Sequence, residues 1–220
     1  FMRAQLKDKI QDGFYCLKLK IGAIDFQKEL DILKSIRKEF SVSDIELRVD
    51  ANGAFSAENA LEQLKRLSEY HLHSIEQPIK EGQWKEMAKL CNTTPIPIAL
   101  DEELIGITDE LERESLLNTI KPKYIILKPS LIGGFKASEE WITLADERGI
   151  PWWINSALES NIGLNAIAQW TYSLKNGLYQ GLGTGQLFTN NIESPLHIKQ
   201  AELWLSTERN WELDNLKFKS

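Results

Sequence analysis

Seven polar residues, each closing a short apolar run, recur along this chain at nearly even steps. Lys20, Asp50, Glu76, Asp101, Lys128, Ser156 and Gly181 follow one another at intervals of 30, 26, 25, 27, 28 and 25 residues. The apolar runs YCLKLKIG, IELRVD, HSIEQP, PIALDE, KYIILKPS, PWWINSA and LYQGLG read as strands. Segments with helical periodicity separate them. One such segment, 25–40, has apolar residues at 26, 30, 33 and 36 and Asp25 as its cap. Another starts at Ser56–Asn59, and an opening helix is stopped by Gly13. Strict strand–helix alternation implies parallel strands with helices outside. The step length matches one unit of an eight-fold barrel of about 250 residues. The predicted fold class is therefore α/β, a TIM-type (β/α) barrel.

A closed barrel needs an eighth strand, and this chain opens with a helix. The first barrel strand is accordingly expected upstream of Phe1, in a longer protein; Met2 stands second. Residues 1–192 form the barrel in this reading. Residues 193–220 are a tail bearing Trp204 and Trp211 with no further strand–helix unit. Two packings stay open for the tail, on a domain outside this chain or as a strap over the barrel itself.

Composition narrows the function. With 26 Lys+Arg against 32 Asp+Glu the net charge is −6, a poor match for non-specific binding to nucleic acid or an anionic membrane. No apolar run approaches the roughly 18–20 residues of a membrane helix, and the N-terminus lacks a signal-peptide pattern. Cys16 and Cys91 have no metal-ligand spacing. The expectation is a cytoplasmic protein acting on a small molecule.

The strand ends carry the chemistry. Alternation along a strand sets Leu17 and Leu19 opposite Cys16, Lys18 and Lys20. It likewise sets Ile45, Leu47 and Val49 opposite Glu46, Arg48 and Asp50. If the aliphatic sets face the helices, the charged sets enter the barrel, where they need partners or a metal. Asp50, Glu76 and Asp101 end three successive strands. Each alone reads as a helix cap, but three converging carboxylates call for a hard divalent cation, Mg²⁺ above all with Mn²⁺ able to substitute. No Cys or His joins them, which argues against zinc. Lys20 on one side and Lys128 on the other suit proton removal next to a metal-held carboxylate, and Lys18 reads as a salt bridge to the acids. Ser156, Ser160 and Asn161 sit where a strand passes into a helix and backbone N–H groups can meet an anion, although Ser160 reads equally well as a plain cap. GLGTG at 181–185 does not match a dinucleotide fingerprint and reads as a turn lining the mouth. His71, His73 and His197 read as core or surface residues, and Trp152 and Trp153 as packing.

KLKIG, RVDANGAF, SIEQP, PIALDE and LKPSLIGG, in this order over nearly the whole chain, resemble the enolase superfamily and its muconate-lactonizing-enzyme subgroup. The resemblance implies an N-terminal capping domain over the barrel mouth, which this chain does not include. It implies Asp50, Glu76 and Asp101 as metal ligands and Lys20 and Lys128 as the catalytic pair. Lys18, Asn52, Ser156, Ser160, Asn161 and Gly183 are the implied substrate-binding residues. The mandelate-racemase branch uses a His base where Asn155 and Ser156 stand here, which disfavours it. Within the subgroup, SALESNIG and QGLGTGQLFTNN are most similar to the branch that dehydrates 2-succinyl-6-hydroxy-2,4-cyclohexadiene-1-carboxylate to 2-succinylbenzoate in menaquinone biosynthesis. There Lys20 removes the α-proton and Lys128 stabilises the enediolate. Dipeptide epimerases carry Asp-x-Asp at the last strand end, where this chain has Gly181-Leu182-Gly183-Thr184. N-acylamino-acid racemization or dipeptide epimerization is the alternative. A non-catalytic metal-binding barrel fragment is the alternative of another class.

Overall fold

The computed structural model describes residues 2–183 and 188–213. Six strands form one sheet: β1 (Cys16–Lys20), β2 (Glu46–Asp50), β3 (Ser74–Glu76), β4 (Ile98–Leu100), β5 (Tyr124–Leu127) and β6 (Trp152–Ile154). Their order in the sheet is their order in the chain, and every pair is parallel. Helix α1 (Met2–Gln11) precedes β1, and α2 (Phe26–Glu39), α3 (Ala60–Ser68), α4 (Trp84–Thr93) and α5 (Glu110–Ile120) make the next four crossovers. A one-turn helix, α6 (Pro129–Ile132), and α7 (Gly134–Asp146) join β5 to β6, and α8 (Asn161–Ser173) follows. This is a section of a (β/α) barrel, as the strand spacing implies.

The two faces of the sheet differ as the alternation requires. On the helix side, Leu47, Val49, Ile75, Leu100, Ile125 and Leu127 share one buried cluster with Leu33, Leu64, Met87 and Trp141 from the helices. On the inner side Ala99, Ile126 and Trp153 form a separate, smaller cluster. The Arg48 guanidinium stacks on Trp153 at 4.1 Å, a favourable seat for a planar cation in a desolvated interior. Trp141 is fully buried. Trp141→Ala is expected to cost about 3–5 kcal/mol, the usual loss for emptying a buried aromatic site, read as a drop in the denaturant midpoint.

Local signals place most boundaries. Asp25 caps α2 by accepting from the Lys28 N–H at 3.2 Å, and Asp109 caps α5 by accepting from Glu112 N–H at 3.0 Å. Three expectations need correction. The segment LYQGLG is not a strand. Only an isolated bridge links Gly181 to Asn155, through Gly181 N–H to Ile154 O at 2.8 Å and Ser156 N–H to Gly181 O at 3.0 Å. Gly181 and Gly183 offer no side chains to pack there, and glycine is costly to order in a ladder. Helix α3 begins at Ala60, because Ser56–Asn59 form a turn closed by backbone bonds to Ser56 O, and Asn59 makes no side-chain cap. The stretch after Lys128 holds the extra turn α6, started by Pro129 and stopped by Gly133 in a left-handed conformation.

Gly181 has a packing reason to be glycine. A Cβ there would lie 2.1 Å from Asn155 Oδ1. Gly181→Ala is expected to displace Asn155 and cost about 1–3 kcal/mol, as overpacking does, seen as a melting temperature lowered by several degrees.

The tail forms an antiparallel hairpin, β7 (Leu196–Lys199) and β8 (Glu202–Leu205). Its turn residues Gln200 and Ala201 both take positive φ, 51° and 60°, the backbone of a tight hairpin turn. Leu203 packs on the main core, while Trp204 and Leu205 are about half exposed. Residues 214–220 of the tail, and Thr184 and Gly185 of the GLGTG turn, lie outside the described residues.

Candidate active site

Strand register brings the charged residues to one end of the sheet. Lys20 pairs with Asp50 across β1 and β2, and Asp50 with Glu76 across β2 and β3. Glu76 pairs with Ala99, so Asp101 lies two residues further along, just past β4. Lys128 follows β5 by one residue. The three carboxylates are therefore flanked along the sheet by Lys20 and Lys128. All three are buried.

Lysines supply the counter-charge. Lys18 Nζ donates to Glu76 Oε2 at 2.8 Å and to Asp50 Oδ2 at 3.1 Å. Burial alone favours its neutral form, but the two carboxylates outweigh burial and push its pKa up. Lys18 thus stays an ammonium and is poorly suited to take a proton. Lys128 forms an ion pair with Asp101. Lys20 is the most exposed of the three, with its Nζ 3.5 Å from Asp50 Oδ2 and 2.5 Å from Asn52 Oδ1. Burial raises the Glu76 pKa to about 7 despite Lys18. It also raises that of Asp101 above its ordinary value despite Lys128. At Asp50 burial is overcome by Lys18 and Lys20, and the pKa falls.

Asn52 turns the chain after β2. It takes a positive φ of 43°, which Asn tolerates. Its N–H donates to Asp50 Oδ1 at 3.0 Å, and its Nδ2 donates to Glu102 Oε1 at 2.8 Å. One side chain therefore joins the Lys20 Nζ to the loop after β4. Gln77 plays a comparable part deeper down. It is fully buried, donates to Ile79 O and Glu103 Oε2, and accepts from the N–H groups of Asp101 and Glu103. It sets the loop carrying Asp101. Sequence reasoning passed over Gln77 and Glu102, although each directly follows a strand-end acid.

The donor set suits a hard cation. Among the described residues no three His, Cys, Asp or Glu side chains converge closely enough to enclose a metal ion. Yet Glu76 Oε1, and Glu102 Oε2 beside Asp101, are buried with no hydrogen-bond partner among the described residues. A buried anionic oxygen with no partner is unfavourable, and oxygen-only ligands match a divalent cation such as Mg²⁺.

The remaining candidates lie past β6 and differ from the expectation in detail. Ser156 Oγ donates to Glu159 Oε2 at 2.6 Å and accepts from Leu158 N–H at 3.0 Å, while its N–H goes to Gly181 O. Asn161 donates through its N–H to Asn191 and through its Nδ2 to Ile192 O. It thus ties α8 to the 191–192 segment. Ser160 occupies the cap position of α8 but makes no side-chain cap bond, so it is not the plain cap. Gly183 lies beside the hairpin, where an added Cβ would meet Ile198 Cδ1 at 3.6 Å. His73 stacks on Tyr124 at 4.9 Å, at the far end of the strands. A hollow of about 460 Å³ at that end is lined by Arg37, Glu46, His71 and His73 among others. Arg37 is committed there to four backbone carbonyls, of Ser41, Ile45, Tyr70 and His71, and offers nothing to a ligand.

Comparison with known proteins gives this arrangement a family. Residues 2–209 match the model "Enolase C-terminal domain-like", and the chain belongs to that family. An o-succinylbenzoate synthase from Desulfotalea psychrophila is 59% identical over 94% of this chain and 56% of its own length. The crystal structure of MenC from Desulfotalea psychrophila LSv54 superposes with a TM-score of 0.88 at 58% identity, over 92% of this chain and 56% of that one. An N-succinylamino acid racemase from Thermus thermophilus is 35% identical over 70% of this chain and 39% of its own length. The chain thus spans about half the length, or less, of the curated relatives it matches. No described helix is long and apolar enough to cross a membrane.

Proposed function

We propose that the full-length protein containing this chain is a cytoplasmic carbon–oxygen lyase of the o-succinylbenzoate synthase type. It removes water from 2-succinyl-6-hydroxy-2,4-cyclohexadiene-1-carboxylate to give 2-succinylbenzoate in menaquinone biosynthesis. The observation that carries this reading is the placement of Lys20 and Lys128 on either side of three buried carboxylates, in a chain 59% identical to a synthase.

Asp50, Glu76 and Asp101 would hold a divalent cation, Mg²⁺ first and Mn²⁺ as a substitute. Such a cation supplies positive charge to the substrate carboxylate as its α-carbon loses a proton. Lys20, as its free amine, takes that proton. The C–H electron pair becomes the new ring double bond, and the C–O bond to the hydroxyl breaks. The Lys20 ammonium then protonates the departing hydroxide, so water leaves and the amine is restored. Lys128 remains a cation throughout and offsets the negative charge developing on the carboxylate. Lys18 keeps Asp50 and Glu76 in place. Asn52 orients Lys20. Ser156, Ser160, Asn161 and Gly183 would shape the mouth toward the succinyl arm. The capping domain expected elsewhere in the protein would cover it.

A second reading, N-succinylamino-acid racemization at the same two lysines, is favoured by the 35% identity to the Thermus enzyme. Dipeptide epimerization is disfavoured, since 181–184 offers no acid to a free amine. A non-catalytic scaffold is disfavoured by the retained lysine pair. The test is a side-by-side measurement of kcat/KM for dehydration and for racemization of N-succinyl amino acids by the full-length protein. Dehydration should dominate. Racemization alone would replace this reading with the second, and silence in both would leave the scaffold.

A further inference from the structure

The strand-end loop after β6 holds an acid that the mechanism does not use. Glu159 is only partly exposed, and its carboxylate gathers four contacts. Ser156 Oγ donates to Oε2 at 2.6 Å, and Ser130 Oγ donates to Oε1 at 2.5 Å. Ala157 N–H donates to both oxygens, at 2.9 and 3.1 Å. Burial disfavours the charged form, but these donors outweigh it and hold the pKa below the ordinary Glu value. Glu159 is thus an anion with its acceptors engaged by two different loops.

The surroundings are shaped to this carboxylate. Leu158, between Ser156 and Glu159, takes a left-handed φ of 69°, which is uncommon for a branched residue. Such a conformation persists only where its neighbours fix it, and here Ser156 Oγ accepts the Leu158 N–H. Gly163, one turn along, leaves room for the acid. An added Cβ at Gly163 would lie 2.9 Å from Glu159 Cβ and 3.2 Å from Cγ.

The second loop is the one that carries Lys128. Ser130 sits in α6, whose turn is closed by Leu131 N–H and Ile132 N–H donating to Lys128 O at 2.8 and 3.2 Å. Fixing Ser130 therefore fixes the turn that starts at Lys128. We infer that Glu159 is a positioning residue for Lys128, clamping the loop after β6 to the turn that holds this lysine. The inference rests on the proposed function only in giving Lys128 a role in turnover. The clamp itself is a statement about structure.

Positioning errors of about 1 Å can cost on the order of 10²-fold in rate, and an interaction that matters in the transition state lowers kcat rather than raising KM. In the full-length protein, Glu159→Ala is expected to lower kcat about 10-fold or more, with KM changed less than about threefold. Glu159→Gln keeps an acceptor oxygen and should recover most of the rate. Ser130→Ala cuts only the link toward Lys128 and should reproduce much of the kcat loss, and Glu159→Ala/Ser130→Ala should be little worse than Glu159→Ala, because the two share one network. Gly163→Ala should move Glu159 and give a milder loss of the same kind.

Hydrogen exchange of the peptide spanning 128–132 reads the clamp without any turnover. Its protection should fall in both Glu159→Ala and Ser130→Ala, whichever substrate proves right. Unchanged protection there would overturn the inference even in an active enzyme. So would a rate loss in Glu159→Ala that Ser130→Ala does not share, or a lowered melting temperature with kcat intact. A wild-type protein that leaves the cyclohexadiene untouched while the exchange result holds would instead sink the proposed function and leave the clamp standing.

Discussion

Lys20→Ala in the full-length protein should lower the dehydration rate by roughly 10³-fold, inside the 10²–10⁴ that a positioned acid–base group contributes. In the proposed mechanism Lys20 serves twice, removing the α-proton and returning it to the leaving hydroxide, so both proton transfers lose their agent together. The fold should not respond. The Lys20 side chain is 69% exposed, and an exposed charge contributes little stability. Asp50 keeps its bond from Lys18 at 3.1 Å and from the Asn52 N–H at 3.0 Å. The check is steady-state turnover followed in the ultraviolet, beside circular dichroism of the same preparation. Lys18 cannot take over, because Glu76 and Asp50 hold it as an ammonium. Near-normal turnover of Lys20→Ala would remove the base assignment.

Glu76→Gln should abolish divalent-cation binding at micromolar to millimolar concentrations, and activity with it. Glu76 is the middle acid of the three and has a buried oxygen, Oε1, without a partner among the described residues. The amide keeps the volume but removes the charge that a hard cation requires. The protein should remain folded, since Gln imposes no buried charge and Lys18 still reaches Asp50. Titration calorimetry with Mg²⁺ on wild type and variant checks this. Equal affinity in the two would place the cation elsewhere.

Much of the sheet was legible in the sequence because two periodicities alternate over even steps. Period two in CLKLK and ELRVD predicts which residues enter the barrel, and Arg48 and Asp50 lie buried there. The spacing of strand-end polar residues predicts Lys20, Asp50, Glu76, Asp101 and Lys128 at one end of the sheet, and the register sets Lys20, Asp50 and Glu76 side by side there. The seventh strand failed because LYQGLG has strand-like apolar residues but glycines where a ladder needs side chains. Ser56 looks like a cap four residues before α3 begins, but its carbonyl, not its hydroxyl, closes the turn there. The serines and asparagine of the loop after β6 read in sequence as a place for a ligand. In the structure Ser156 and Asn161 hydrogen-bond to Glu159, Leu158, Asn191 and Ile192, partners up to 31 residues away that no local pattern reveals. The one available signal was Glu159 itself, an acid set among small polar residues where a strand turns into a helix.

The most direct test of the proposed lyase is dehydration of 2-succinyl-6-hydroxy-2,4-cyclohexadiene-1-carboxylate by the full-length wild-type protein, first with Mg²⁺, then with a chelator, then with Mg²⁺ restored. The strand-end site predicts turnover that the chelator abolishes and Mg²⁺ recovers. Turnover that persists undiminished in the chelator, or no turnover with Mg²⁺ in a folded protein, would contradict it.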